Sequence, residues 1–286
     1  MELKSLSMAI VTRFAPSPTG RLHLGHVLSA WVAWDLARSE DGRFLLRMED
    51  IDGSRVRPEY EDGIIEDLQW LGLHWDGDIL RQSERQDAYQ QAFEELQAKD
   101  LLYPCFCTRK EIQAELKAMG GAPHEHGEVY PGICKRLSTE ERESKIASGL
   151  PHAWRLDAGR ASQVSGPLTF TDQLHGIVTV DPALLGDVVI TRKDIGVSYH
   201  LAVVVDDAHQ DITLVSRGED LLPSTHVHRL LQAALNLPEP EYHHHHLVVD
   251  DNGQRLAKRC DSLSIESLRQ SGETAEAVLQ RIRSLA

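Results

Sequence analysis

The sequence predicts an α/β protein built on a parallel sheet. An apolar, β-branched segment at residues 7–14 is followed by a loop and by helix-like periodicity over residues 26–40. The same alternation repeats, with a strand pattern at 43–50 and an amphipathic helix pattern at 59–73. Strands that alternate with helices favour parallel pairing. A chain of 286 residues with 41% hydrophobic and 26% charged residues is typical of a packed globular protein.

The first strand is expected to end at Pro16, because proline cannot take part in a central ladder. Two glycines, Gly20 and Gly25, precede the predicted helix. Apolar residues recur in that helix at three- and four-residue steps, which indicates one buried face. The residues of this face are Val27, Ala30, Trp31, Trp34 and Ala37.

The periodicity divides the chain into four segments. We expect the first half of the sheet at 1–103, an insertion at 104–165, the second half of the sheet at 166–238 and a C-terminal segment at 239–286. Strands are expected after the insertion, and then a helix that buries Val227, Leu230, Leu231 and Ala234. The expected strands are 176–181, 187–192, 199–208, 211–218 and 247–251.

The composition limits the partners. With 44 acidic and 30 basic residues the net charge is -14, so contact with a nucleic acid requires a local basic patch. No apolar stretch is long enough to span a membrane and no secretory segment is evident, which predicts a cytoplasmic protein without a membrane partner. We expect a monomer. The four cysteines favour a metal site, or free thiols, over a disulfide framework.

The segment from Arg13 to residue 26 carries the strongest chemical signal. The usual phosphate-binding pattern GxxxxGK[ST] is missing from the sequence, so phosphate must be held in another way. His23 and His26 stand where the helix begins, and the N–H groups at a helix start favour an anion. Gly25 lets a ring or ribose approach the backbone. The alternative is a proline-rich loop with two solvated histidines.

This segment resembles the HIGH motif of class I aminoacyl-tRNA synthetases, in the form found in the glutamyl branch. The match includes RFAPSPTG, with Ala15 and Ser17 as in glutamyl enzymes. The resemblance implies a class I aminoacyl-tRNA synthetase fold of Rossmann type, with a zinc-containing insertion and a short C-terminal helical segment. It also implies that His23, Gly25 and His26 bind ATP, which is accompanied by Mg²⁺.

The basic segment 255–259 (RLAKR) resembles the second signature of class I enzymes, KMSKS, in a degenerate form. The family's catalytic lysine falls on Lys258, whose ammonium would neutralise phosphate charge as pyrophosphate leaves. Lys258 therefore joins His23 and His26 as a predicted catalytic residue. Taken alone, this segment would be interpreted as a solvated basic loop.

Further matches to the glutamyl family predict a pocket for glutamate. Its residues would be Arg13, Ala15, Ser17, Glu49, Tyr199 and Arg217. The resemblance assigns Glu49 to the substrate ammonium, and Tyr199 and Arg217 to the substrate itself. A dicarboxylate with one ammonium group needs guanidinium donors and one acid. Taken singly, each charged residue would more often form a surface ion pair.

A cysteine cluster is the next feature. Three thiols and nearby side chains could close a four-coordinate Zn²⁺ site, and buried or free thiols are the alternative. The thiols are those of Cys105, Cys107 and Cys134. From chemistry alone His124 or His126 would be the fourth ligand, whereas the resemblance to short glutamyl enzymes implies Tyr130. Cys260 lies far along the chain. The histidine run 243–246 is interpreted as a solvated turn.

The resemblance implies a two-step reaction. Glutamate and ATP would give glutamyl-adenylate, and the glutamyl group would pass to the queuosine base in the anticodon loop of tRNA(Asp), as in the short glutamyl enzymes. Only 27 residues follow Arg259, fewer than the anticodon-binding region of a full-length glutamyl enzyme. The alternatives are a truncated glutamyl-tRNA synthetase that charges a tRNA 3′ end and a non-catalytic RNA-binding paralogue.

Overall fold

The computed structural model describes residues 9–118, 129–193, 196–247 and 264–285. The strands are β1 Val11–Phe14, β2 Arg43–Met48, β3 Leu80–Arg81, β4 Leu102–Cys105, β5 Ala153–Leu156, β6 Thr169–Asp172, β7 Gly176–Thr179, β8 Val189–Arg192, β9 Gly196–Val197, β10 Leu214–Gly218 and β11 Glu241–His245. The helices are α1 Leu24–Arg38, α2 Pro58–Trp70, α3 Gln86–Ala98, α4 Arg109–Ala118, α5 Thr139–Ala147, α6 Ala158–Ser165, α7 Tyr199–His209, α8 Leu222–Ala234, α9 Ile265–Gln270 and α10 Ala275–Arg283.

Parallel pairing in the centre of the molecule confirms the α/β prediction. β1, β2 and β3 pair in parallel, as do β10, β11 and β6, and β7 adds an antiparallel edge. The two groups meet where the Thr213 N–H donates to the Val11 carbonyl oxygen at 3.0 Å. The carboxyl ends of β1, β2, β10 and β11 therefore share one edge, where ligands bind in such sheets.

Helices α1 and α8 bury the faces that their periodicity predicts. Val27, Ala30 and Ala37 of α1 are buried, whereas Trp31 and Trp34 are half-buried at its margin. All four residues predicted for the buried face of α8 are in the core. The three- and four-residue spacing thus identified the packed side of both helices.

Two predicted strands differ in the structure. Residues 199–208 form most of helix α7, because a short apolar run has no periodicity that separates a buried strand from a buried helix. Residues 187–192 contain β8, but β8 pairs antiparallel with β5 in a second sheet of order β4-β5-β8-β9. This second sheet therefore connects β4 and β5 with β8 and β9, the two strands that precede α7.

The C-terminal helical segment consists of two short helices, α9 and α10. Gly272, with φ of 90°, lies between them in a conformation that favours glycine. Apolar residues of α9 and α10 pack into the core formed by α1 and α2. The Ile265 N–H donates to the Leu22 carbonyl oxygen at 2.9 Å, so α9 begins beside the start of α1.

Some predictions fall outside the described residues. These are Lys258, Cys260, His124, His126 and all of the strand 247–251 except Leu247, which lies after the end of β11. Among the helices of the described residues, the structure contains none with the length and hydropathy needed to cross a membrane.

Candidate active site

The sheet edge brings together four residues that the sequence assigns to the glutamate pocket. Arg13 lies in β1, Glu49 directly follows β2, and Arg217 lies in β10. Tyr199 is the first residue of α7, and its hydroxyl accepts a hydrogen bond from Arg217 Nη1 at 3.1 Å. Arg13, Arg217 and Glu49 are also close enough to Tyr199 to influence the pKa of its hydroxyl. Parallel strands place these side chains in one pocket although they are far apart in sequence.

Arg217 is buried among uncharged acceptors. Besides Tyr199, its guanidinium donates to His244 Nε2 at 3.2 Å, to His228 Nδ1 at 3.2 Å and to Thr225 Oγ1 at 2.6 Å. Only 6% of Arg217 is exposed, and among the described residues no carboxylate forms an ion pair with it. A buried cation without a carboxylate partner favours an anionic ligand, because desolvating an unpaired charge is costly.

The histidines that contact Arg217 are held in their neutral form. Burial, together with the Arg217 charge, lowers the pKa of His244 to about 3 and lowers that of His228 well below its ordinary value. His244 Nδ1 lies 2.6 Å from Asp172 Oδ2, so it carries the proton and leaves Nε2 as the acceptor for Arg217. Asp172 thus fixes the tautomer that the guanidinium needs.

Two histidines, His228 and His200, continue the hydrogen-bond network that begins at Arg217. His228 Nδ1 accepts from Arg217, which leaves the proton on Nε2, and this nitrogen lies 3.2 Å from His200 Nδ1. Burial and the Arg217 charge lower the pKa of His200 to about 4. This network could not be predicted, because the histidines come from α7, α8 and β11 and meet only in the folded chain.

Two carboxylates balance the other buried guanidiniums. Asp207 accepts from Arg13 Nε at 2.9 Å and also from Arg47, whose side chain is fully buried. Arg13 Nη1 donates in addition to the Ser216 carbonyl oxygen at 3.2 Å. The neighbouring Asp206 forms an ion pair with Arg85 at 2.6 Å. The sequence analysis did not identify Arg47 and Asp207. The signal that could have identified them is a charged residue within an apolar strand or helix pattern.

Glu49 is the acid of the pocket. Burial raises its pKa to about 7, and the nearby Arg47 and Arg13 charges oppose this rise. Its backbone N–H donates to the Pro16 carbonyl oxygen at 2.9 Å, which ties the end of β2 to the loop after β1. That loop also carries Ala15, which is half-buried, and Ser17, which is exposed. The pocket therefore holds a carboxylate that titrates near neutral pH.

His23 and His26 lie together at the start of α1. His23 is the residue before the helix, its backbone N–H donates to His26 Nδ1 at 3.1 Å, and the two ring centroids are 5.7 Å apart. Outside its own helix and chain neighbours, a Cβ placed on Gly25 would meet no atom of the described residues within 4 Å, so these residues leave the space over its backbone open. This arrangement suits an anion with a flat group beside it. Ile265, bonded to Leu22, brings α9 next to these histidines.

The histidine run is not a solvated turn. It forms most of strand β11, where His244 is fully buried and His245 is 6% exposed. His245 Nε2 lies 3.0 Å from Ser29 Oγ of α1. Four identical residues in a row carry no hydrophobic alternation, so the strand could not be distinguished from a polar turn.

The cysteine cluster has the dimensions of a metal site. The sulfur atoms of Cys105, Cys107 and Cys134 lie within 4.8 Å of one another, and the closest pair, Cys107 and Cys134, is 3.4 Å apart. The Tyr130 hydroxyl lies 3.4 Å from Cys105 Sγ and 3.5 Å from Cys107 Sγ. A tetrahedral ion with bonds of about 2.3 Å needs ligand atoms about 3.8 Å apart, which these groups approximate.

Known proteins with related sequences and structures point to one family. The family model of the catalytic domain of class I tRNA synthetases for E and Q matches residues 9–286. A glutamyl-Q tRNA(Asp) synthetase of Rhodobacter capsulatus is 45% identical over 92% of this chain and 96% of its own, and one of Symbiobacterium thermophilum is 41% identical over 96% and 85%. A glutamate tRNA ligase structure from Elizabethkingia meningosepticum, in complex with its amino acid, is 30% identical with a TM-score of 0.73, over 93% of this chain and 53% of that chain.

Proposed function

This chain belongs to the family of class I tRNA synthetases for glutamate and glutamine, and we propose that it attaches glutamate to the queuosine base of tRNA(Asp). The reaction has two steps. Glutamate is first activated by ATP, and the glutamyl group then passes to a hydroxyl of queuosine in the anticodon loop. Support comes from relatives of similar length that carry the name glutamyl-Q tRNA(Asp) synthetase. With tRNA as its acceptor, the enzyme acts in the cytoplasm.

The observation that carries the proposal is the buried guanidinium of Arg217. It is surrounded by neutral acceptors and lies in the same pocket as Arg13 and Glu49. A substrate carboxylate would complete the charge balance around Arg217, and Glu49 would receive the substrate ammonium. The Tyr199 hydroxyl would position the same ligand. We assign Ala15 and Ser17 to the wall of this pocket because they lie in the loop that Glu49 contacts.

In the first step a carboxylate oxygen of glutamate attacks the α-phosphorus of ATP, and the bond to pyrophosphate breaks. The α-carboxylate is ionised at neutral pH, so this step requires no base. His23 and His26 donate to phosphate oxygens at the start of α1, Gly25 leaves space for the nucleotide, and Lys258 neutralises the departing charge. Mg²⁺ that accompanies ATP would withdraw negative charge from the phosphates.

In the second step a hydroxyl oxygen of the queuosine cyclopentenediol attacks the glutamyl carbonyl carbon. The ester bond forms, the bond to AMP breaks, and the hydroxyl proton is lost to solvent. Because the adenylate is already a reactive mixed anhydride, positioning of the hydroxyl contributes most of the remaining acceleration. The pocket holds the acyl group through Arg217 and Tyr199.

We propose that the cysteine cluster holds a structural Zn²⁺. Its ligands would be Cys105, Cys107, Cys134 and Tyr130, whose atoms converge at distances that suit a tetrahedral ion. Burial opposes ionisation of the Cys105 thiol, but Tyr130 and the Arg155 charge lower its pKa, whereas burial raises the pKa of Cys107 to about 12, so metal binding would displace the proton of that thiol. The ion would fix the segment between β4 and α5.

Two assays test the proposal. Exchange of labelled pyrophosphate into ATP, with glutamate and without RNA, should occur, whereas folded protein without exchange would leave the non-catalytic alternative. Labelled glutamate should then attach to queuosine-containing tRNA(Asp), with tRNA(Asp) that lacks queuosine as the matched control. Labelling of tRNA(Glu) alone would instead support the truncated glutamyl-tRNA synthetase. That alternative has relatives among glutamate–tRNA ligases, such as one of Alkalilimnicola ehrlichii that is 40% identical and of which the chain covers 58%.

A further inference from the structure

A cavity of about 550 Å³ lies between the start of α7 and the cysteine cluster. It shares Tyr199 with the glutamate pocket and Tyr130 with the cluster. Its volume falls in the range of about 300–1,000 Å³ typical of small-ligand sites. The lining residues that matter for its chemistry are Arg109, Arg155, Arg192, Ser198, Tyr199 and His200. None of the roles proposed above uses Arg109 or Arg192.

The charge in this cavity is positive. Asp187 also lines the cavity. Its carboxylate accepts hydrogen bonds from Lys135 Nζ at 3.1 Å and from the Tyr103 hydroxyl at 2.7 Å, so the Asp187 charge is already balanced. The Arg155 guanidinium stacks 3.8 Å from the centre of the Tyr130 ring, and its Nε is buried without a hydrogen-bond partner among the described residues. Arg109 is exposed and forms no ion pair with any residue that the structure describes.

The start of α7 adds neutral donors to these charges. Ser198 precedes this eleven-residue helix and is 7% exposed, and its hydroxyl has no hydrogen-bond partner among the described residues although it borders the cavity. The Ser198 side chain makes no capping hydrogen bond, and the leading N–H groups of a helix have no acceptor within the helix itself. A helix N-terminus next to an unpartnered hydroxyl and three guanidiniums is a site for a phosphate-like anion.

We propose that this cavity binds a backbone phosphate of the acceptor RNA, next to the nucleoside that receives glutamate. The inference rests on the proposed function, because it requires an RNA acceptor close to Tyr199. A chain of net charge -14 repels RNA over most of its surface, so a local group of arginines beside the glutamate pocket is where a phosphodiester is attracted. Holding one phosphate there orients the adjacent nucleoside toward the activated glutamyl group.

The test uses the full-length protein with Arg109→Gln, Arg192→Gln and the double variant. The matched control is Arg283→Gln, which removes the same charge from α10, where the side chain is 49% exposed. Binding of queuosine-containing tRNA(Asp) is measured between 50 and 200 mM NaCl, and pyrophosphate exchange with glutamate is measured without RNA. We expect each cavity variant to weaken tRNA binding about three- to tenfold and to reduce the salt slope by about one, with exchange unchanged.

The outcomes separate the cavity from the proposed function. A double variant that binds tRNA(Asp) with the wild-type Kd and salt slope would overturn the cavity assignment, whatever the enzyme does. The RNA assignment would also be overturned if a cavity variant showed a raised KM for glutamate or ATP in the pyrophosphate-exchange assay while its tRNA binding stayed unchanged. That result would assign the cavity to a small substrate. If Arg283→Gln lost as much tRNA affinity as the cavity variants, the loss would be due to net charge, and the cavity assignment would be overturned. Absence of exchange in the wild type would count against the proposed function alone, since tRNA binding is measured independently.

Discussion

Replacing Glu49 by glutamine should stabilise the protein at alkaline pH while it impairs glutamate binding. Burial raises the pKa of Glu49 from 4.5 to about 7, so the folded chain holds this proton more tightly than the unfolded chain. Between these two values the folded state binds more protons than the unfolded state, and stability therefore falls as pH rises. Above about pH 7 the folded protein carries the full cost of an ionised, partly buried carboxylate.

The size of the effect follows from the same shift. A change from 4.5 to about 7 corresponds to about 3 kcal/mol at about 1.36 kcal/mol per pKa unit. The side chain is half-buried, and solvent at the open side of the pocket reduces this cost. We expect Glu49→Gln to raise the free energy of unfolding by about 1–3 kcal/mol at pH 8, with a smaller difference at pH 5.

Urea unfolding followed by tryptophan fluorescence at pH 5 and pH 8 measures this difference. Glu94→Gln, at an exposed position of α3, is the matched control and should change little at either pH. In pyrophosphate exchange, wild-type kcat/KM for glutamate should fall about tenfold per pH unit below pH 7, because a protonated Glu49 has no charge for the ammonium. A Glu49→Gln protein that is no more stable than the wild type at pH 8 would refute the reasoning.

Three further predictions address the other groups. Arg217→Met should raise the KM for glutamate about 10- to 100-fold, the cost of one charge-assisted contact, and leave the KM for ATP unchanged; a glutamate KM within twofold of wild type would remove Arg217 from the pocket. Lys258→Ala should slow pyrophosphate exchange about 100-fold, whereas Lys110→Ala should not, and equal rates in both would contradict a catalytic role for Lys258. Purified wild-type protein should contain one zinc per chain by elemental analysis and Cys134→Ser should lose it; retention of zinc in that variant would exclude this thiol as a ligand.

The sequence could predict those parts of the fold and site that depend on local patterns. Periodicity identified α1 and the buried face of α8, because an amphipathic helix repeats its apolar residues at a fixed spacing. The motif that begins at Arg13 located the turn between the first strand and helix. The structure brings Glu49, Tyr199 and Arg217 together, and their assignment to glutamate stays a prediction from the resemblance to glutamyl enzymes.

Features that depend on long-range contacts could not be predicted. Strand β8 contains an ordinary β-branched run, and nothing in that run specifies that its partner is β5 and not the central sheet. His244 could not be recognised as a partner of Arg217, because its neutral tautomer is set by Asp172, 72 residues away. Arg47 stands in an apolar strand, and the ion pair that accompanies its full burial is with Asp207, 160 residues away in α7.

The charges of the proposed pocket are complementary to those of glutamate. Arg13 and Arg47 share one carboxylate, that of Asp207, which leaves one excess positive charge on this side of the pocket. An ionised Glu49 balances that charge, although burial outweighs the attraction of Arg47 and Arg13 and raises the pKa of Glu49 to about 7. Arg217 then remains as an uncompensated cation. A free amino acid with two carboxylates and one ammonium carries a net charge of about -1 at neutral pH, so its entry neutralises the pocket, whereas a neutral amino acid such as glutamine would leave one buried positive charge unpaired.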